Sequence, residues 1–270
     1  MTGKAFRLAR LLERSKKLVV AAMDHGAFHG PIAGLEDPVA ACTKLTAADA
    51  VLMAPGMIPH VAHLLTGSGG PLLITRLLWN STYCFQWNYS QSHHRTLLSA
   101  RQAAAMGADV VLASLSINTG SEEVDAQNAG RFSQCVQQAA EAGLPIIGEY
   151  YPAGTDNMSP QQLHQSIRIG CRVAAELGAD LIKTFFTGPR FRQIVDAVPV
   201  PILVLGAEKT PKDRDALRLA HAAASAGARG IVFGRNILQS ADPAAFIQAV
   251  RAVMNDKVSV ERAARQFKLS

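Results

Sequence analysis

The chain predicts a single (β/α)8 barrel, and three observations carry that prediction. Eight short apolar runs of strand length alternate with longer segments of helical period. Three helical segments close on one repeated phrase: Met106-Gly-Ala-Asp-Val, Leu177-Gly-Ala-Asp-Leu and Ala226-Gly-Ala-Arg-Gly. Glycine takes the left-handed conformation that ends a helix, so this phrase is the helix-to-strand joint of a repeated unit. The alternative, a doubly wound open sheet, usually carries GxGxxG after an early strand, and none is present.

The strands are expected at Leu18–Met23, Ala50–Ala54, Leu72–Leu77, Val110–Leu115, Pro145–Tyr150, Leu181–Phe185, Pro201–Leu205 and Gly230–Phe233. Their near-continuous Val, Ile and Leu content marks parallel strands covered on both faces. Helices are expected at Leu97–Met106, Glu122–Ala142, Pro160–Leu177 and Asp213–Ala226. An amphipathic helix at about 5–14 is expected to cap the barrel floor, and further helices fall at about 242–267. No linker or low-complexity stretch divides the chain, so residues 1–270 read as one domain.

The 270 residues are 49% hydrophobic and 18% charged, enough for a large core without disulfides. The four cysteines are scattered, with no CxxC pair, and read as reduced packing residues of a cytoplasmic protein. The N-terminal stretch is charged and lacks a secretory apolar core. No run approaches the ~18 apolar residues of a membrane span. The net charge of +6 is dispersed rather than clustered. That distribution favours a small phosphorylated ligand over nucleic acid.

Barrel enzymes build their sites from strand C-termini and the loops that follow. Polar residues gather there in this chain. The sixth strand carries Lys183 in Gly178-Ala-Asp-Leu-Ile-Lys-Thr-Phe-Phe-Thr-Gly188. An ammonium on a buried strand is costly to desolvate, and a neutral amine is what Schiff-base chemistry on a carbonyl needs. On this segment alone, a lysine solvated or paired with an acid at a strand end is an equal reading. Asp24, after the first strand, can pair with a neighbouring lysine or bind a substrate hydroxyl; a loop cap is the bland alternative. His25 and His29 follow it, but no carboxylate–histidine spacing completes a metal site, and no metal is expected. Glu149 and Tyr151 are two apart at the fifth strand's end, which puts them on one face and Tyr150 on the other. A phenol there can relay a proton or simply close the barrel mouth. Gly206 ends the seventh strand and Gly234-Arg235-Asn236 the eighth. Turns at these two strands commonly cradle phosphate, although tight turns alone also demand glycine.

With these groups placed, four stretches resemble the class I aldolases of the archaeal-type fructose-bisphosphate aldolase family. That group also holds the aminodideoxyheptulosonate synthases and the autoinducer-2 processing thiolase. The stretches are 23–37 (MDHGAFHGPIAGLED), 178–184 (GADLIKT), 198–202 (VPVPI) and 234–239 (GRNILQ) followed by Asp242-Pro243. The resemblance implies a Schiff base on Lys183, Asp24 as the carboxylate beside it, and Tyr151 as the proton shuttle; Glu149, which stands where the bisphosphate aldolases carry a tryptophan, is expected to replace part of that acid–base work. The turn at Gly206 and the turn Gly234-Arg235 would hold the substrate phosphate, and His25, Ala207 and Lys209 are expected as further substrate or phosphate contacts. It further implies no cofactor and a homo-oligomer, with a decamer among the expected sizes. The chain departs from the family at several points. Leu205-Gly-Ala-Glu-Lys209 stands for Ser-Gly-Gly-Pro-Lys, Tyr151-Pro-Ala-Gly154 for Tyr-Pro-Arg-Gly, Glu149 for a tryptophan and Phe186 for a tyrosine. The expected activity is aldol cleavage of a phosphorylated ketose. A thiolase, a condensing synthase and a non-catalytic sugar-phosphate binder are the alternatives. The aromatic segment Trp79–Asn88 is expected either to shape the substrate end or to meet another subunit.

Overall fold

The computed structural model describes residues 2–67, 69–87, 89 and 91–270. Among the described residues ten strands are formed: β1 Leu18–Ala22, β2 Ala50–Met53, β3 Leu72–Arg76, β4 Leu78–Asn80, β5 His94–Thr96, β6 Val110–Leu115, β7 Ile146–Tyr150, β8 Leu181–Thr184, β9 Ile202–Leu205 and β10 Gly230–Phe233. Eight of them close into a parallel barrel in the order β1-β10-β9-β8-β7-β6-β3-β2. These eight match the runs expected from the sequence to within one residue at either end. Asn88, the last residue of the aromatic segment, lies outside the described residues.

The repeated Gly-Ala phrase has a physical meaning at every position. Gly107, Gly178 and Gly227 hold φ of 90°, 103° and 101°, the left-handed region that ends a helix at little cost to glycine. The alanines that follow are buried. The next aspartate bonds the preceding barrel strand: Asp109 accepts from Leu73 N at 3.0 Å and Asp180 from Ile146 N at 2.9 Å. In the third copy Arg229 takes that place and donates instead to the carbonyls of Leu12 and Ser15, tying the chain before β1 to the barrel floor.

Alternation along the strands sorts side chains to two sides. Val19, Ala21, Val51, Leu73 and Val111 face outward to the surrounding helices. Leu18, Val20, Leu52, Ile74, Leu112, Ile147, Leu181, Leu203 and Val232 form a separate interior cluster. The amphipathic helix Thr2–Leu12, a few residues earlier than the sequence suggested, adds Leu11 to that cluster and packs Leu8 and Leu12 against it, closing the floor. The helices Pro243–Asn255 and Val260–Gln266 fall in the expected C-terminal stretch. Among the described residues, no helix is long and apolar enough to cross a membrane.

One element was not foreseen. The antiparallel pair β4–β5 leaves the end of β3 and carries aromatic residues across the open end of the barrel.

Candidate active site

The inward parity of each strand continues to the top of the barrel, where it turns from apolar to charged. Leu181 is followed two residues on by Lys183, Ile147 by Glu149, Leu112 by Ser114, Ile74 by Arg76 and Ala22 by Asp24. The register places Ser114 beside Glu149 and Glu149 beside Lys183. These groups are buried, with Lys183 6% and Arg76 2% exposed, so each must find its partner within the protein.

Arg76 organises the layer. Its Nε donates to Asp24 Oδ2 at 2.7 Å, Nη2 pairs with Glu149 Oε2 at 2.8 Å, and Nη1 donates to Ser114 Oγ at 2.9 Å. Its guanidinium lies 5.1 Å from the Phe28 ring centroid and 5.2 Å from that of Tyr83. Ser114 passes its own proton to Glu149 Oε2 at 3.1 Å and accepts from the Tyr83 hydroxyl at 3.4 Å. The other Glu149 oxygen, Oε1, contacts Lys183 Nζ. The amine is therefore buried, as the sequence implied, but in a polar setting, and the carboxylate in contact with it is Glu149. Asp24 takes Arg76 as its direct partner.

The electrostatics follow from these contacts. Burial alone would push the Glu149 carboxyl up; the charges of Arg76 and Lys183 outweigh it and hold the group well below the usual carboxylate range. Asp24 shows the same balance, burial opposed first by Arg76 and then by Lys183, and is also lowered. Burial holds His25 down at about 4, and burial with the Arg76 charge holds His94 at about 3, so both rings are neutral near pH 7. Burial, reinforced by Glu149, raises Tyr83 and keeps it a neutral phenol.

Above this layer opens a cavity of about 510 Å³ with Asp24, Arg76, Glu149 and Lys183 at its base. Tyr83, Phe85, Tyr151 and Phe185 line one side, and His25, Gly206, Ala207, Glu208, Gly234 and Arg235 the other. Tyr151 is packed edge-on against Tyr83 at 5.0 Å and Phe185 at 4.7 Å, which fixes its ring at the wall. Tyr150 points the opposite way, its hydroxyl 3.2 Å from Ser166 Oγ. Among the described residues, no three His, Cys, Asp or Glu side chains cluster as metal ligands.

A buried ion-pair layer at a barrel's C-terminal end suits many reactions, and comparison with known proteins narrows the field. The sequence profile of the DeoC/LacD family aldolases matches residues 18–240. The chain belongs to that family. This aldolase is 31% identical to an uncharacterized aldolase of Saccharolobus solfataricus over 99% of its own length and all of the relative's. It is also 31% identical to the 3-hydroxy-5-phosphonooxypentane-2,4-dione thiolase of Salmonella typhimurium, over 98% of the chain and 87% of the relative. Among solved structures it superposes on an archaeal fructose 1,6-bisphosphate aldolase with a TM-score of 0.78 and 26% identity, covering 93% of this chain and 98% of that one. A Schiff-base-forming fructose-1,6-bisphosphate aldolase gives 0.77 and 25%, covering 93% and 99%.

Of the site residues expected in this aldolase, Asp24, His25, Glu149, Tyr151, Lys183, Gly206, Ala207, Gly234 and Arg235 line this cavity. Lys209 was expected with them and is not among the residues lining the cavity. Its Nζ pairs with Asp213 Oδ1 at 2.5 Å and lies 5.9 Å from the Phe246 ring centroid. Asp213, 4% exposed in the first turn of the helix Asp213–Ser225, requires a counter-charge, and Lys209 stands four residues before it. The two glycines also have a packing cause. A Cβ on Gly234 would meet His25 Cε1 at 2.1 Å, and one on Gly206 would meet the Phe233 ring at 2.8 Å. Asn236, fully buried, donates to the carbonyls of Gly206 and Glu208 and so joins the turns after β9 and β10. Ala207 holds a φ of 50°, an uncommon conformation for a residue with a Cβ. Arg235 Nε is buried without a hydrogen-bond partner at the cavity edge.

The charged layer has a consequence for stability. Carboxylates held below their ordinary range lend stability that is present above about pH 4 and lost as pH falls toward their native values. Histidines held neutral lose stability as pH falls from about 6.5 toward 4 and 3, because the unfolded chain binds protons that the folded one refuses. Both sets act in one direction. The melting temperature is expected to fall continuously from about pH 7 to about pH 4, and to fall again above about pH 8, where the four cysteines, all pushed up by burial, ionise only in the unfolded chain. Scanning calorimetry across that range checks it, and a maximum near pH 5 would contradict these assignments.

Proposed function

We propose that this aldolase acts through a Schiff base on Lys183 and cleaves a phosphorylated ketose. The observation that carries the reading is a buried lysine on the inward face of β8, in contact with a carboxylate, at the base of a cavity lined by Tyr151. The relatives support it. Solved structures with this fold include a Schiff-base-forming fructose-1,6-bisphosphate aldolase, and the thiolase relatives are named for a phosphorylated substrate.

In this mechanism Glu149 takes a proton from Nζ, and the free amine adds to the ketone carbonyl to give a carbinolamine. Loss of water, with the proton returned to the leaving hydroxyl by Glu149, gives the iminium. Tyr151 removes the proton from the substrate hydroxyl beta to the imine carbon. The carbon–carbon bond then breaks, the aldehyde departs and the electron pair passes into an enamine. Protonation of the enamine and hydrolysis regenerate Lys183. Asp24, fixed by Arg76, orients the substrate's hydroxyls. At the far wall His25, the turn Gly206-Ala207 and Gly234-Arg235 receive the phosphate, with the unpartnered Nε of Arg235 as a charge-assisted donor. Glu208 lines the same wall and sets a negative charge against a second phosphate. A homo-oligomer and a cytoplasmic site of action belong to the same proposal, by analogy with the family.

The thiolase relatives favour one second reading, acyl transfer to coenzyme A. Carbon balance separates the two: cleavage releases two carbonyl fragments without a thiol, whereas thiolysis stops when coenzyme A is withheld. Borohydride reduction in the presence of a panel of phosphorylated ketoses is expected to add one substrate mass, less one oxygen, at Lys183. Mass spectrometry of the peptides reads it. A panel in which no ketose labels Lys183, with the protein folded, refutes the Schiff base.

A further inference from the structure

The charged layer holds two carboxylates, one guanidinium and one amine, and the count matters. Asp24 comes from the end of β1, Arg76 from β3, Glu149 from β7 and Lys183 from β8. Arg76 spans the barrel between the first and third of these strands, and all three of its bonded contacts are to groups of this layer. We infer that Arg76 is a positioning residue: one guanidinium, bonded at once to Asp24 and Glu149, fixes both carboxylates as anions around Lys183, so the layer is balanced only when Nζ carries a cation. The inference rests on the Schiff-base reading and deepens it. The covalent iminium is such a cation: formed on a primary amine it keeps one N–H proton, and the two anions oppose its loss to the neutral imine. The layer therefore favours the iminium over both the free amine and the neutral enamine.

The groups facing these carboxylates from every side agree with this count. Asp24 meets Arg76, Lys183, His25 and Glu149; Glu149 meets Arg76, Lys183 and Tyr83. His94, from the β4–β5 pair, adjoins Arg76 and Glu149. His25, His94 and Tyr83 are neutral near pH 7 and add no charge. Glu208 and Arg235, at the far wall, oppose each other in sign. The rings of Phe28 and Tyr83 hold the guanidinium in place, and its buried position denies the carboxylates the water that would otherwise solvate them.

Replacing Arg76 tests the inference, because a structural filler and a charge anchor predict different pH profiles. In the wild type the acid limb of kcat is expected below about pH 5, since both carboxyls are held low. In Arg76→Met one carboxyl takes up a proton. The acid limb is then expected to move up by at least one pH unit and borohydride trapping at about pH 6 to fall roughly tenfold or more. Arg76→Lys keeps the charge but cannot bridge both carboxylates, and its limb is expected between the two. A folded Arg76→Met or Arg76→Lys enzyme with reduced kcat but the wild-type pH profile would show a merely structural role and overturn the inference. Should Arg76→Met not fold, the wild type decides. Infrared titration, with Asp24→Asn and Glu149→Gln as references, is expected to show neither carboxyl protonating between about pH 5 and 8. Protonation of either in that range overturns it. A wild type that gives no borohydride adduct sinks the Schiff-base reading, and the infrared titration still reports separately on Arg76.

Discussion

Lys183→Met is expected to yield a folded barrel whose turnover is reduced by roughly 10⁴-fold or more, because the covalent route is removed and nothing nearby can replace an amine. Methionine has a similar length and flexibility, so the interior below Lys183 keeps its packing. The electrostatic cost is modest for a buried pair. Glu149 loses one partner but retains Arg76 at 2.8 Å and Ser114 at 3.1 Å, so its charge is not orphaned. The loss of stability is therefore placed at about 3 kcal/mol or less, the low end of what breaking a buried ion pair costs. That corresponds to a fall of melting temperature on the order of 10 °C for a chain of this size. Steady-state assay with the ketose that labels the wild type, together with circular dichroism, checks both halves. A folded Lys183→Met enzyme at wild-type rate would end the mechanism. Lys183→Arg sharpens the test: it restores a cation against Glu149 yet cannot form an imine, so it is expected to regain stability and remain inactive.

How much of this was legible in the residues depends on whether a signal is periodic or relational. The barrel strands announced themselves because burial on both faces leaves an unbroken apolar run. The helix ends did so because a left-handed turn calls for glycine at Gly107, Gly178 and Gly227. Lys183, Glu149 and Asp24 were visible as charges interrupting such runs, in the parity that faces inward. Arg76 had the same signature at the end of the third run, but its importance lies in what it touches, and a sequence does not say that β3 closes into a barrel two strands from β1 on one side and two from β7 on the other. Lys209 illustrates the converse. Adjacent to a phosphate-type turn, it read as a contact; Asp213, one helical turn further on, captures it first. The β4–β5 pair was missed because strands of three residues carry too little alternation to stand out from a loop.

The distribution of proton work between Glu149 and Tyr151 yields the second large effect. Glu149→Gln keeps the shape of the side chain and removes its basicity, so kcat is expected to fall by about 10²–10⁴-fold, the range for a positioned acid–base group. It also cancels one of the two anions against which the iminium is balanced, so trapped adduct is expected to decline with kcat. Tyr151→Phe leaves both carboxylates in place. It is expected to slow bond cleavage while adduct still accumulates, because the iminium forms before the phenol acts. The two variants thus separate on adduct yield, a measure independent of turnover. Glu149→Ala opens a space between two cations, Arg76 and Lys183, large enough for a small carboxylate. Added formate is expected to restore part of its activity in proportion to concentration, as a diffusible base would. Wild-type adduct in Glu149→Gln, or an absence of formate rescue in folded Glu149→Ala, would shift the proton to another group. Asp24 would then be the remaining candidate, since it bonds Arg76 through Oδ2 and has Oδ1 with which to reach the substrate.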